Sequence, residues 1–462
     1  MSHSPSSFVS KLSLRRLLIA AAVLHLALVG AVFLVGKAQV LPRTFDEHGI
    51  GISFAIDATS YRKEATEMAQ LLSQRRFQDW INYRSQFRST FHFRLYSITF
   101  ALLGRVLGFG ILAAEPLNLV YYLSILGLTF AIGAEVFDRR VGLFAAMAVG
   151  LWPSLLLHTT QMLRDPLFIG AMLLLIFSLL LSLKRDLSIW QGLGVAASGC
   201  AAVLLIWLCR ADMWEIVFAV LLLAVAICTV RQVQERRFGS GKTLALVGIL
   251  LFAFFLPKTL PAIRLAEQTV PRQQVKPRNT TALPPAGQNR QDTAMAPWTK
   301  VSRRVGILRH RFIASYPLAG SNVDTNVELQ ETGDLIRYLP RALEIGFLSP
   351  FPRMWFTKGE QVGAIGRLVA GMEMLVMYFV LALAGLTLVY QWKSLSVWLL
   401  CSTSVVGCVA LGYVVVNISC LYRMRYAFFI LVIILGIRGL RIAHEKLIEP
   451  RVYLDKKQGA VT

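Results

Sequence analysis

Acidic residues cluster shortly after the first long apolar run of this 462-residue chain. Asp46 and Glu47 precede Asp57 by about ten positions, and all three lie in the hydrophilic stretch 37–94. Where such a stretch meets a membrane surface, partial desolvation raises the proton affinity of a carboxylate, which suits the carboxylate to act as a general base. A solvated acidic loop explains the same residues, and the spacing alone does not decide between the two.

A second acidic position lies in the short polar turn between two apolar runs. His158 begins this turn, and Asp165 ends it immediately before Pro166. A carboxylate beside a proline is typical of the start of a helix. Capping also holds the carboxylate in one place, so the same residue could bind an acceptor or a cation, with His158 nearby.

Two arginines precede the last apolar run. Arg423, Arg425 and Tyr426 fit a role as anchors at a membrane interface. They also fit a lipid-phosphate site, because planar guanidinium groups bind phosphate oxygens in pairs.

The elements that position these residues are apolar helices. Hydrophobic residues make up 55% of the chain and charged residues only 16%. The apolar runs are continuous rather than alternating, which predicts an all-α polytopic membrane protein and excludes a transmembrane β-barrel. The net charge of +22 comes mainly from basic residues in short loops and tails, so it indicates membrane topology rather than nucleic-acid binding.

Charge placement favours ten crossings over eleven. Eleven apolar segments can be drawn, but if all cross from a cytoplasmic N-terminus, basic loops fall outside four times. If segment 95–113, which has Arg105 near its centre, does not cross the membrane, all four basic loops fall on the cytoplasmic side. An extracytoplasmic N-terminus also repairs them, at the cost of placing Arg15 and Arg16 outside. In the preferred topology, 37–94, the turn after His158, the loop 263–366 and the turn before Tyr426 share the outer face. The segments are 17–36, 95–113, 117–137, 142–158, 166–183, 192–209, 214–230, 242–262, 368–390, 395–417 and 425–440.

Four regions follow from this topology. They are an N-terminal transmembrane catalytic module at 1–262, an extracytoplasmic loop region at 263–366, C-terminal transmembrane helices at 367–442 and a cytoplasmic tail at 443–462. Helical spacing predicts helices near 301–316 and 335–346 within the loop region, after a polar stretch at 271–300.

Two motifs are set aside. The sequence Gly239-Ser240-Gly241-Lys242-Thr243 is similar to the end of a phosphate-binding loop, but Arg236 stands where that motif needs its first glycine. All six cysteines lie in or beside apolar runs, which disfavours a disulfide framework or a cysteine-based metal site.

Taken in order, these motifs resemble those of the GT-C glycosyltransferases, in particular the bacterial branch similar to protein mannosyltransferases and aminoarabinose transferases. Asp57 to Ala65 follows the family's Asp-x3-Tyr-x3-Ala pattern, and Gly142 to Pro153 resembles its small-residue helix ending in proline. Asp165 resembles the second acidic position, and 423–426 the late Arg-Tyr motif. The family's His-Pro-Pro is replaced here by Phe91-His92-Phe93-Arg94.

The resemblance implies a GT-C-like bundle of about 10–11 transmembrane helices and an inverting sugar transfer from a polyprenyl-phosphate donor to a glycan, lipid or protein. It implies Asp57 as the catalytic base, with Asp46 and Glu47 either supporting it or competing with it for the family's acidic pair, and Asp165 with His158 as acceptor or cation ligands. Arg423, Arg425 and Tyr426 would bind the lipid phosphate. We expect no nucleic-acid partner, no certain cofactor, a possible divalent cation, and a bacterial inner membrane with the site on its outer face. An O-antigen-type polymerase or ligase is the main alternative, and a transporter the weaker one.

Overall fold

The computed structural model describes residues 13–39, 56–85, 91–235, 239–260, 297–315, 317, 319–356 and 363–458. Of the candidate residues, Asp46 and Glu47 lie outside these ranges, as does most of the polar stretch 271–300. Side chains of the last helix are described as far as residue 446.

The described residues form an all-α chain, with one isolated β-bridge between Asn322 and Asn417. The N-terminal half contains α1 Leu14–Lys37, α2 Ile56–Ser73, α3 Phe77–Ile81, α4 Phe91–Leu107, α5 Ile111–Val136, α6 Arg139–Gly150, α7 Pro153–Thr159, α8 Asp165–Lys184, α9 Ile189–Arg210, α10 Trp214–Glu235 and α11 Ser240–Thr259. The C-terminal half contains α12 Pro297–Ser315, α13 Thr332–Leu348, α14 Pro352–Trp355, α15 Gly363–Tyr390, α16 Leu395–Val414, α17 Ile418–Met424 and α18 Tyr426–Gln458.

Eight described stretches are long and apolar enough to cross a membrane, or nine if the pair α6 and α7, bent by 69° at Trp152, is one span. One of the eight, Ile189–Glu235, contains both α9 and α10. Lys242 Nζ lies 2.6 Å from Asp186 and 4.0 Å from Glu235, so the first end of α9 and the last end of α10 are adjacent. The two helices are therefore an antiparallel pair of 22 residues each. Counted separately, and with α6 and α7 taken as one span, they bring the candidate spans among the described residues to the ten of the preferred topology.

The bundle has two distinct ends. Ion pairs join Arg185 to Glu135 at 2.6 Å, Arg441 to Asp138, and Lys242 to Asp186. These contacts define the basic end. The opposite end, which we call the site end, brings together α2, the turn before α8, the end of α9, and α17.

Segment 95–113 is not one continuous helix. α4 ends at Leu107, Gly108 takes a positive φ of 76°, and α5 begins at Ile111. The Tyr96 hydroxyl donates to Asn118 Oδ1 at 2.7 Å, so α4 folds back along α5.

The GSGKT sequence serves helix packing at the basic end. A Cβ on Gly192 would lie 2.3 Å from the carbonyl oxygen of Gly241, and a Cβ on Gly241 would lie 2.3 Å from that of Leu187. Only glycine allows α9 and α11 to approach this closely. Lys242, 4% exposed, completes the contact through its pair with Asp186.

The two helices expected in the loop region are both present, as α12 and α13. Arg309 of α12 is buried, and its guanidinium donates to the carbonyl oxygens of Tyr413 at 2.8 Å and Asp324 at 2.6 Å. α13 begins at Thr332, three residues before the expected 335, with Glu331 at its N-cap in a capping box with Asp334. Both helices pack against the site end of α16.

Candidate functional site

The helix that carries Asp57 is α2. Asp57 lies in its first turn, where the backbone amides favour a negative charge. Tyr61 and Ala65, four and eight residues later, are 4% and 0% exposed and face the protein interior. Tyr61 packs edge-on against His92 of α4, with ring centroids 4.6 Å apart. This packing fixes α2 and leaves the Asp57 side chain 34% exposed.

Arg423 joins the two predicted acidic positions. Its Nη2 donates to Asp57 Oδ2 at 2.9 Å, and its Nη1 lies 3.8 Å from Asp165 Oδ2. Nη1 is buried and has no hydrogen-bond partner among the described residues. α17 carries Arg423 in the turn between the last two spans, and its first turn is capped by Asn417. The guanidinium therefore has one hydrogen bond to spare at the centre of the site.

Arg210 extends the cluster and was not predicted from the sequence. It ends α9, it pairs with Asp165, and its Nη1 lies 3.5 Å from Asp212. Arg164 lies in the electrostatic field of Tyr61, Asp212 and Asp165. Three arginines thus face three aspartates, and the cluster has no formal net charge.

The protonation states at the site follow from burial and from these charges. Burial alone would lower the pKa of Arg423, but Asp165 and Asp57 raise it above its usual value, so the side chain stays cationic. Burial raises the pKa of the Tyr61 phenol to about 12, against the opposing effect of Arg164. Burial and then Arg164 hold the pKa of His92 well below its usual range. At neutral pH, Tyr61 is therefore protonated and His92 is uncharged.

His158 and Tyr426 belong to a buried network beside the cluster. The His158 Nδ1 pairs with the carbonyl oxygen of Ser154 at 2.5 Å, and the Tyr426 hydroxyl lies 2.5 Å from Ser154 Oγ. Glu373 of α15 accepts from the backbone N–H of Ser154 at 2.7 Å and bonds the Tyr422 hydroxyl. Sequence reasoning missed Glu373, although a lone carboxylate within an apolar span signals a functional or structural role. The network fixes the bend between α6 and α7, and through it the turn that carries Asp165.

Arg425 lies apart from the Asp57–Arg423 pair. Its side chain is 1% exposed, donates to the Gly346 carbonyl oxygen at 3.1 Å, and stacks on Phe429 at 4.2 Å. Tyr426 is 5% exposed and faces Ser154. The predicted phosphate-binding trio is therefore divided, with Arg423 at the site and the other two in packing roles. Arg425 and Tyr426 therefore do not belong to the phosphate site that the sequence predicts.

A divalent cation does not fit between the two carboxylates as they stand. Asp57 and Asp165 already share the guanidinium of Arg423. Within the described ranges, no group of three or more His, Cys, Asp or Glu residues could hold a metal ion. A site that drew on Asp46 or Glu47 would lie outside the described residues.

Comparison with known proteins yields little. No family model and no curated protein matches the sequence. Among solved structures, the chain is similar to the archaeal oligosaccharyltransferase AglB from Archaeoglobus fulgidus, solved in complex with an inhibitory peptide and a dolichol-phosphate. The identity is 12% and the TM-score 0.45, over 94% of this chain and 52% of that one. The chain thus spans about half of that structure, and a likeness of this degree does not establish a common architecture.

Proposed function

We propose that this multi-pass membrane protein is a GT-C-type glycosyltransferase that moves a sugar from a polyprenyl-phosphate donor to a hydroxyl group of a glycan, lipid or protein. The observation that carries the proposal is the Asp57–Arg423–Asp165 arrangement at one end of the bundle. It combines a partly exposed carboxylate with a buried, permanently charged guanidinium, which are the two groups that this reaction needs.

In the proposed reaction, Asp57 takes the proton of the acceptor hydroxyl as its oxygen attacks the anomeric carbon. The bond between that carbon and the phosphate oxygen breaks, and its electron pair stays on the phosphate. The products are the glycosylated acceptor, with inverted configuration, and the polyprenyl phosphate. Asp165 is held by Arg210 and is too deeply buried for this role, so it serves to orient Arg423.

Arg423 would bind the donor phosphate and stabilise the charge that develops on it. Its contact with Asp57 is partly exposed, so this is the side from which a phosphate can reach the guanidinium. A phosphate that binds there competes with Asp57 for the guanidinium. Donor binding would then release the Asp57 carboxylate from its ion pair and make it available as a base. This coupling favours an order in which the donor binds before the acceptor reacts.

The polymerase or ligase alternative relies on arginines of the loop region, and two of these, Arg309 and Arg304, make packing contacts. Arg309 is buried and bonds three backbone carbonyl groups, including that of Val327 at 3.3 Å. Arg304 pairs with Glu215 at 2.9 Å. These two arginines hold α12 to its neighbours. The first-loop carboxylate, which the alternative does not need, is instead the residue that meets Arg423.

We place the site end on the extracytoplasmic face, with the basic end inside, in accord with the positive-inside rule. A bacterial inner membrane is part of the same proposal.

An analysis of the lipid-linked sugars in the source organism tests this function. Deletion of the gene should cause a polyprenyl-monophosphate sugar to accumulate, as measured by mass spectrometry of extracted lipids. Wild-type protein should clear the species, and Asp57→Asn at equal abundance should not. Accumulation of a polyprenyl-diphosphate oligosaccharide would point to the polymerase or ligase class. Unchanged lipid-linked sugars would overturn the proposal.

A further inference from the structure

The position of α13 is unusual for part of an extracytoplasmic loop. Tyr413, near the site end of α16, donates its hydroxyl proton to the Leu335 carbonyl oxygen at 2.6 Å. A Cβ on Gly412 would lie 2.1 Å from the Ala342 carbonyl oxygen, and a Cβ on Gly346 would lie 2.3 Å from that of Cys408. Contacts along α13 therefore step down α16, from its end toward its middle. The two helices run antiparallel in close contact.

The depth reached by α13 follows from the length of α16. α16 has 20 residues, which at about 1.5 Å per residue match a hydrocarbon core of about 30 Å. Cys408 precedes its last residue, Val414, by six positions, or about 9 Å along the axis. The contact of Gly346 with Cys408 thus places the C-terminal end of α13 at the level of the outer hydrocarbon, if α16 spans the bilayer.

The C-terminal end of α13 has the hydrogen bonds expected where water is absent. The last carbonyl groups of a helix have no partner within the helix and usually bond water. Here side chains take that place. Ser349 Oγ donates to the Ile345 carbonyl oxygen at 2.6 Å, Arg425 Nη1 to that of Gly346 at 3.1 Å, and the Tyr378 hydroxyl to that of Leu348 at 2.7 Å.

This capping also explains the buried charge of Arg425. A cation is favoured at the C-terminal end of a helix, where the helix dipole is negative. Arg425 supplies that cation from the start of the last span, in an environment where an unsatisfied carbonyl group is strongly unfavourable.

The surface of α13 has three faces. Tyr338, Ala342 and Ile345 are buried against the bundle. A second, apolar face is exposed and has helical spacing: Ile336, Leu339, Pro340 and Leu343. The third face is polar and includes Arg341 and Glu344. These two residues line an open recess of about 340 Å³ together with Phe351, Pro352 and Arg353.

We propose that α13 is a re-entrant helix, which enters the site-end half of the bilayer and ends there. Its exposed apolar face contacts lipid acyl chains, and its polar face borders a water-filled recess. Irregular or terminating backbone at membrane depth is tolerated only where protein or a wet cavity supplies its hydrogen bonds, and both are present here. The inference does not depend on the reaction proposed above.

Spin labels in proteoliposomes test the position of α13. Single cysteines replace Ile336, Leu339 and Leu343, all of them exposed, so folding should be retained and is checked by thermal unfolding. Labels at 339 and 343 should collide with dissolved oxygen and be shielded from a soluble nickel chelate, with the label at 343 deeper than that at 336. Arg337→Cys on the polar face and His310→Cys on α12 are the matched controls, and both should be open to the chelate. Unsubstituted protein, whose cysteines are buried or half-buried, gives the labelling background.

Two results would overturn the proposal. Access of the nickel chelate to position 343 equal to that at 310 would place α13 in water. Exclusion of both oxygen and the chelate would mean that protein, such as a second copy of the chain, covers this face in place of lipid.

Discussion

Arg423 and Asp57 lie 366 positions apart in the sequence and are joined by a 2.9 Å ion pair between Nη2 and Oδ2. Among the described residues, the pair connects the first helix after the first span to the short helix that precedes the final span. In the proposed reaction, a phosphate bound to Arg423 would displace Asp57 from this pair.

Asp57→Asn tests the base. The amide keeps the size of the side chain but cannot take a proton, so turnover should fall by about 10²–10⁴-fold. Binding of polyprenyl phosphate should be unchanged or tighter, because Arg423 loses its competitor. Turnover and phosphate binding are measured on purified protein in liposomes. Asp79→Asn is the matched control, since Asp79 forms an exposed pair with Arg76 outside the cluster. Turnover of Asp57→Asn close to that of the control would remove Asp57 from the chemistry.

Arg423→Lys and Arg423→Gln test the phosphate contact. Lysine keeps the charge but not the planar pair of donors, so affinity for polyprenyl phosphate should fall by about tenfold, and further for glutamine. Arg185→Lys, in the Arg185–Glu135 pair at the basic end, should bind as the wild type does. Equal affinities in all four proteins would show that the phosphate binds elsewhere.

Arg425→Gln should act on stability. It removes a cation that caps α13 and leaves the Gly346 carbonyl group short of a donor, which costs about 1–3 kcal/mol. The midpoint of thermal unfolding in detergent should fall, while the affinity of the remaining folded protein for polyprenyl phosphate stays unchanged. A variant of normal stability with weakened phosphate binding would restore the role that the sequence predicts for Arg425.

His25 and Glu115 form a buried pair that the sequence did not single out. His25 Nδ1 lies 2.8 Å from Glu115 Oε1, and Nε2 lies 3.1 Å from Thr159 Oγ1, so three helices meet at this ring. A double-mutant cycle of His25→Ala and Glu115→Ala should show a coupling energy of about 0.5–3 kcal/mol in unfolding experiments. A cycle of His25→Ala with Ser178→Ala, a serine of α8 that bonds Ser198, should be additive. Additivity in both cycles would mean that the pair does not stabilise the bundle.

Cysteine labelling tests the orientation of the bundle. His310→Cys should react with an impermeant maleimide in intact cells, and Ser240→Cys only after the membrane is opened. Both residues are exposed, whereas Ser302, a more obvious choice from the sequence, is fully buried. Reaction of Ser240→Cys alone in intact cells would show that the bundle has the opposite orientation.

Much of the helical layout follows from hydropathy and capping signals. The apolar helices and the two loop-region helices expected near 301–316 and 335–346 are present in the structure. Each depends on local spacing, which is visible in one stretch of sequence.

Contacts between residues that are far apart in the chain are harder to predict from the sequence. Arg423 and Arg425 were paired because they are close in sequence, yet residues two positions apart on a helix point to different sides. Arg210 ends an apolar run on the same side of the membrane as Arg423 in the preferred topology. The argument that an arginine at the outer end of a span can bind a phosphate applies to both residues. Nothing in the sequence indicates that Arg425 would cap a helix about 80 positions earlier in the chain.

The glycine contact between α9 and α11 has a consequence for the interpretation of natural variants. A scan for nucleotide-binding motifs would assign a substitution at Gly241 to lost catalysis. A Cβ at that position would instead lie 2.3 Å from a backbone oxygen of the neighbouring turn. The defect would arise during biogenesis, when the two hydrophobic helices assemble after insertion, and it would be seen as a low amount of protein in the membrane. The molecules that did assemble would retain full specific activity.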